Sequence, residues 1–304
     1  MIENAPDPKI FLQNSAEFMY EAFQIILSLM KDDFNTFFEN DISADEGNWL
    51  EETHSVKIGT VSLLIFTSIE NYLKYKICTE SPFLLISSLS DLKKGKTDFN
   101  EYHMHSFEDL LKVYITIYGI TDDDRLKTKF EMLRKTRNSF VHSILNDGTL
   151  IKDLLESAAF FVKEVWNNKS NHPPLFHYFA DRLDPLADYH DVMNFTPEYE
   201  DDNDQHAELL AIYEILNHYL TKNEALSFLG LSKTDRLMIC PVCSIYSYRN
   251  RSITCFRFAK FIVEDGENFS VCQLCQAEVL VKDTDENPQN LLSAEILSII
   301  NQSQ

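Results

Sequence analysis

The chain predicts a mainly α fold: a helical bundle over residues 1–170, an acidic linker with short helices over 171–235, and a small β unit with a closing helix over 236–304. Three observations carry this. Apolar residues recur at helical spacing in five segments of the first half. Only 7 Gly and 9 Pro among 304 residues leave few of the tight turns that an all-β majority needs. Two Cys-x-x-Cys pairs sit near the C-terminus in a stretch of alternating β-formers. The length suffices for two or three domains with sizeable cores.

Residues 1–12, with Pro6 and Pro8, predict an irregular lead-in. A first helix runs from Ser15 to about Asn40, with Phe18, Ala22, Ile25, Ile26, Leu29 and Met30 on one face. A second spans about Thr53 to Cys78, striped by Ile58, Val61, Leu64, Ile65, Ile69, Tyr72, Leu73 and Ile77. A third fits 106–118, buries Phe107, Leu110, Leu111, Tyr114, Ile115 and Tyr118, and stops at Gly119. Thr121 followed by Asp122, Asp123 and Asp124 gives the fourth a capping residue and acids in its first turn. That helix uses Leu126, Phe130, Leu133 and Val141 and ends before the turn signal Asn146-Asp147-Gly148. A fifth runs from about Leu150 to Trp166. His172-Pro173-Pro174 breaks the pattern. Shorter helices follow at about His206–Leu220 and Lys222–Phe228, then the β region at about Leu237–Lys282, and a last helix at Asn290–Ile300.

The net charge is -21, which weakens nonspecific attraction to nucleic acid. Its distribution is uneven: residues 171–235 alone carry 3 Lys+Arg against 13 Asp+Glu. Any nucleic-acid site must therefore be a local basic patch. Met1-Ile2-Glu3-Asn4 lacks the basic n-region of a secretory signal, and the longest apolar runs are too short to span a bilayer. The expectation is a cytoplasmic protein with no membrane partner. Six Cys, four of them in pairs, fit a reducing compartment better than a disulfide framework.

Those pairs, Cys240-Pro241-Val242-Cys243 and Cys272-Gln273-Leu274-Cys275, are separated by 28 residues. Four thiolates so arranged make a closed tetrahedral site, which predicts a structural Zn2+ in a zinc ribbon and no open catalytic metal. Cys78 and Cys255 read as thiols outside the ligand set. Tyr246, Tyr248, Arg249, Arg251, Phe256, Arg257, Phe258 and Lys260 interleave aromatic and basic residues. They read equally as a surface that stacks bases or as ribbon core with ordinary surface cations.

The second constellation is Arg137-Asn138-Ser139-Phe140-Val141-His142. It closes a segment in which Arg125, Lys127, Lys129, Arg134, Lys135 and Arg137 face one acid, Glu131. An arginine, an amide and a histidine near one helix end supply an anion anchor and a proton carrier. Asn138 and His142 share a helical face at i,i+4, whereas Arg137 and His142 lie roughly 140° apart around a straight helix. A fraying helix end or a second copy of the chain would bring both to one phosphate. The structural alternative pairs Arg137 with an acid such as Glu70 and leaves His142 as a helix C-cap.

The pattern Arg137-Asn138, three residues, His142, on the fourth helix of a bundle, resembles the HEPN domain family over about residues 15–168. Glu70-Asn71-Tyr72-Leu73-Lys74 on the second helix adds to the likeness. The resemblance implies a metal-independent endoribonuclease that acts as a homodimer and leaves a 2′,3′-cyclic phosphate. It implies that Arg137 holds the scissile phosphate, His142 acts as general acid/base, and Asn138 orients one of them. It also implies a role as a toxin or an effector of antiviral defence, with RNA as substrate and an antitoxin or defence-system protein as partner. The alternative is a non-enzymatic helical dimer whose zinc ribbon binds nucleic acid or protein.

Overall fold

The second helix shapes the first half of the molecule. In the computed structural model, which describes residues 2–39, 55–88, 97–120, 124–141, 151–167, 171–182, 203–232, 235, 237–238, 240, 243, 258–264, 267–276 and 278–280, the chain is mainly helical with a small antiparallel sheet near its C-terminus. Its contacts divide it into two units, Met1–Ala158 and Ala159–Gln304.

The first unit holds β1 (Ile2–Glu3), α1 (Pro8–Glu39), α2 (Ser55–Glu80), β2 (Thr97–Asp98), α3 (Phe107–Tyr118), α4 (Asp124–Val141) and the start of α5 (Ile151–Phe161). Helix α1 begins earlier than its apolar stripe suggests. Asp7 caps it by accepting from Lys9 N at 2.9 Å, and Pro8 follows as the first helical residue. Proline fits there because its fixed φ suits the first turn and its missing N–H has no helical partner to lose. The expected irregular lead-in over 1–12 is thus corrected from Pro8 onward, where the capped helix has already begun.

Helices α1 and α2 run antiparallel, as Ser15 meets Ser68 while Pro6 meets Cys78. Ser15 Oγ donates to Ser68 O at 2.7 Å, and Ser68 Oγ returns the bond to Ser15 O at 2.7 Å. Both serines are buried, so this exchange satisfies hydroxyls that would otherwise be stranded between Met19, Phe23, Ile65 and Ile69. The sequence stripe on α2 proves narrower than the burial. Ser62, Phe66, Ser68, Asn71 and Cys78 are buried as well, because α1 covers one side and α3 and α4 the other.

Helix α3 stops at Gly119, in the left-handed region at φ 57, as the sequence reads; Ser106 is its N-cap, and of the six residues expected to be buried Leu110, Leu111 and Tyr114 are, while Phe107, Ile115 and Tyr118 stay half-buried. Burial alone pushes the Tyr114 phenol up to about 12. The Tyr118 hydroxyl donates to Lys76 O and Glu80, and burial followed by that carboxylate pushes its phenol well up. Helix α4 buries Leu126, Phe130 and Leu133. The start expected at Thr121 and the turn expected at 146–148 lie outside the described residues.

The second unit holds the rest of α5, whose last turn widens to π-type over Val162–Trp166, then α6 (Leu175–Arg182), α7 (Asn203–Tyr219) and α8 (Lys222–Phe228). A four-stranded sheet follows in the order β3 (Leu237–Met238), β4 (Ala259–Glu264), β5 (Glu267–Cys272), β6 (Glu278–Leu280), every pair antiparallel. Helix α6 lies in the stretch that the prolines mark as a linker; Pro173-Pro174 precedes it rather than excluding it. Trp166 is fully buried, and its ring meets His172 at 5.0 Å and Tyr178 at 5.9 Å. Described parts of the expected linker pack onto the sheet: Tyr213 meets Phe258 at 4.6 Å, and Lys260 Nζ donates to Gly230 O at 3.1 Å. The helix expected at 290–300, most of the acidic run 198–204, and ribbon residues 244–257 lie outside the described residues.

Helix α8 starts in a capping box between Thr221 and Glu224. It ends in a Schellman turn, with Leu231 N bonded to Leu226 O and Gly230 N to Ser227 O, both at 3.0 Å. Gly230 sits at φ 63, and a Cβ there would lie 2.7 Å from Pro174 Cγ. Gly230→Ala therefore combines left-handed strain with a clash against a rigid ring. We expect it to destabilise the second unit by roughly 1–3 kcal/mol in urea unfolding, whereas Gly119→Ala, with open space around its Cβ, costs only the smaller left-handed penalty.

Candidate functional site

Strand pairing builds the cysteine site. Cys272 ends β5 opposite Ala259, and the chain turns through Gln273 and Leu274 to Cys275. Gln273 N donates to Phe258 O at 2.9 Å, which ties this turn to the neighbouring strand. Gln276 takes φ 59 directly after the last cysteine, with its N donating to Cys272 O at 3.0 Å. Cys240 and Cys243 come from the segment after β3. All four sulfurs lie within 4.8 Å of one another and all four residues are buried.

Two cross-pairs, Cys240 with Cys275 and Cys243 with Cys272, have their sulfurs 3.7 Å apart. That is too long for a disulfide and close to the edge, about 3.8 Å, of a tetrahedron whose bonds to a central ion are about 2.3 Å. Cys243 N and Leu274 N each point at a cysteine sulfur at 3.4 Å, which is the stabilisation that thiolates favour. Without a cation, burial pushes the Cys243 thiol well up. The donor set therefore fits one metal ion, with no ligand position left for water. Among the described residues it is the only such cluster. Cys78 is not part of that cluster; it is buried on α2, with its thiol pushed up to about 11 by burial. Cys255 lies outside the described residues.

The Arg137 site forms where α4 crosses α2. The guanidinium carbon of Arg137 stands 5.3 Å from the centroid of the Phe66 ring. Its Nη1 donates to Asn138 Oδ1 at 3.1 Å, while its Nε is buried and has no hydrogen-bond partner among the described residues. The sequence offers Glu70 as a partner for this arginine. In the structure Glu70, one turn after Phe66, is bound to Lys74 at 2.6 Å. No described carboxylate pairs with Arg137. Thus Arg137 and Asn138 are brought together, and His142 lies outside the described residues. Phe66 went unnoticed because it reads as one more core aromatic.

The basic run on α4 is less free than its composition suggests. Arg134 pairs with Glu131 at 2.6 Å and with Glu108 of α3 at 3.0 Å, and Lys135 approaches Glu131 at 3.8 Å. The Arg134 guanidinium holds the Glu131 carboxyl below its usual range. Glu108, Glu131 and Arg134 line a groove of about 250 Å³ between α3 and α4, together with Phe107, Leu111 and Phe130.

No protein-family model, no curated protein and no solved structure matches this chain. Among the described residues no helix is long and apolar enough to cross a membrane. Site assignment therefore rests on geometry.

For the cysteine site, elemental analysis of purified protein should find about one metal ion per chain. Cys272→Ser should bring that value below half. It should also strip amide-exchange protection from 258–280 while α2 keeps its own. Unchanged metal content in Cys272→Ser would contradict the ligand set.

Proposed function

We propose that this chain is a metal-independent endoribonuclease of the HEPN type. One observation carries the reading: Arg137 keeps its charge at the end of a bundle helix, unpaired with any described carboxylate and braced by Asn138. A buried donor without a partner is costly in folding and is most readily explained by a ligand oxygen. On this reading Arg137 binds the scissile phosphate and stabilises the charge that develops on it. His142, five residues on, takes the ribose 2′-proton or donates to the leaving 5′-oxygen. Asn138 orients the guanidinium, consistent with the 3.1 Å hydrogen bond between them. The product is a 2′,3′-cyclic phosphate. A second copy of the chain would supply the opposing motif, and RNA is the substrate. We place the protein in the cytoplasm as a toxin or defence effector controlled by an antitoxin or defence-system partner.

We further propose that the ion in the cysteine site is Zn2+, in a purely structural role. Four thiolates, a tetrahedral edge and complete burial favour it over harder cations, which take oxygen ligands. The metal would then add folding energy to a sheet whose strands are short. A second reading, a helical adaptor that binds a partner through its ribbon, is favoured by Phe261 and Ile262, which stay 38% and 39% exposed on β4.

Arg137→Ala and His142→Ala should each lower RNA cleavage by about 100-fold or more, with unchanged thermal midpoint and oligomeric state. They should also relieve any growth arrest on expression. Cellular RNA left intact by the wild-type chain, while the ribbon still captures a partner, would favour the adaptor.

A further inference from the structure

Three rings connect three helices around Arg137. Phe66 on α2 lies 4.2 Å from Phe107 on α3, and Phe107 stacks on Phe130 of α4 at 5.4 Å. Phe130 precedes Arg137 on the same helix, and Arg137 in turn lies over Phe66. The circuit closes on itself, so the height and register of α4 against α2 are fixed where the arginine emerges. Phe66 is 3% exposed, which leaves its ring few alternative positions.

Arginines at helix crossings are ordinarily neutralised by a carboxylate. Here the acid one turn from Phe66 is bound to Lys74. The face of an aromatic ring attracts a cation through its quadrupole but leaves the net charge intact. The Nε is buried, while the residue as a whole remains half-buried, so part of the side chain still reaches solvent. Asn138 occupies one of the five guanidinium donors.

We propose that Phe66 is a positioning residue: its ring holds the Arg137 guanidinium in place of a carboxylate, so that the full cationic charge is presented to a phosphate group. The inference rests on the reading of Arg137 as a phosphate anchor. It does not require that the chain cleave RNA.

The test uses the full chain and inorganic phosphate, read by NMR at the Arg137 Nε–Hε resonance, which is assigned by its disappearance in Arg137→Lys. In the wild type the Arg137 Hδ protons should be shifted upfield by the ring current, and phosphate should move the Nε–Hε signal. Phe66→Leu should abolish the upfield shift and weaken phosphate binding roughly three- to tenfold. Phe66→Tyr, which keeps the ring face, should stay within about twofold of wild type. Tyr114→Leu, a comparable loss in the core of α3 away from the circuit, should also leave phosphate affinity within about twofold. Unchanged affinity in Phe66→Leu, or equal losses in Phe66→Leu and Tyr114→Leu, overturns the proposal. Should Phe66→Leu fail to fold, the wild-type spectrum decides, and absence of the upfield Hδ shift overturns it. Phosphate binding that depends on Phe66 in a protein with no RNA cleavage would sink the nuclease reading and leave this one standing.

Discussion

Helix α2 can keep only a narrow strip of its surface in water. Along its middle turns Val61, Ser62, Ile65, Phe66, Ser68, Ile69, Asn71, Tyr72 and Leu73 are buried, and Leu63, Leu64 (expected on the buried stripe), Thr67, Glu70 and Lys74 form the part-exposed remainder. A helix so enclosed must be surrounded, and α1, α3 and α4 do so. Most of its polar residues find partners, although the buried Ser62 hydroxyl has none among the described residues. Ser68 exchanges hydrogen bonds with Ser15, Asn71 turns back to Thr67 O, and Glu70 takes Lys74. Arg137 reaches this crowded surface from α4 after those carboxylate and hydroxyl partners are already engaged, and what it meets is the Phe66 ring.

The two sites solve the problem of burying polar groups in opposite ways. At the cysteine cluster every sulfur faces the other sulfurs at distances suited to one ion, and backbone N–H groups support them. Such a donor set leaves no ligand position open to water. It also reaches into the surrounding helices, since Gln276, next to Cys275, donates from Nε2 to His177 O of α6 at 3.1 Å. At Arg137 one donor has no partner and no carboxylate is paired with the charge, among the described residues. On the reading proposed above, that donor and that charge are met by a phosphate oxygen.

The parts legible in the sequence are those written locally. Cys-x-x-Cys spacing, the Gly119 stop of α3 and the presence of helices α1, α2 and α4 each need only a few neighbouring residues to be recognised. Prolines misled at two places for one reason. Pro8 and Pro173-Pro174 read as breakers, yet proline opens helices as readily as it ends them, and α1 and α6 begin beside these residues. Long-range matters stayed hidden. Nothing in the local pattern of α2 singles out Phe66 from Ile65 or Ile69, because its contact with Arg137 joins residues far apart in the chain. The positive run on α4 was likewise overstated, since Glu108, which binds Arg134, belongs to α3.

The most direct test of the central claim is the chemistry of the RNA ends. Wild-type protein, purified without chelators, is incubated with a defined single-stranded RNA in magnesium-free buffer, and the fragments are weighed by mass spectrometry. The account predicts fragments ending in 2′,3′-cyclic phosphate and 5′-hydroxyl, absent with Arg137→Ala. Fragments bearing 5′-phosphate and 3′-hydroxyl, cutting that needs added divalent cations, or an uncut RNA would contradict it.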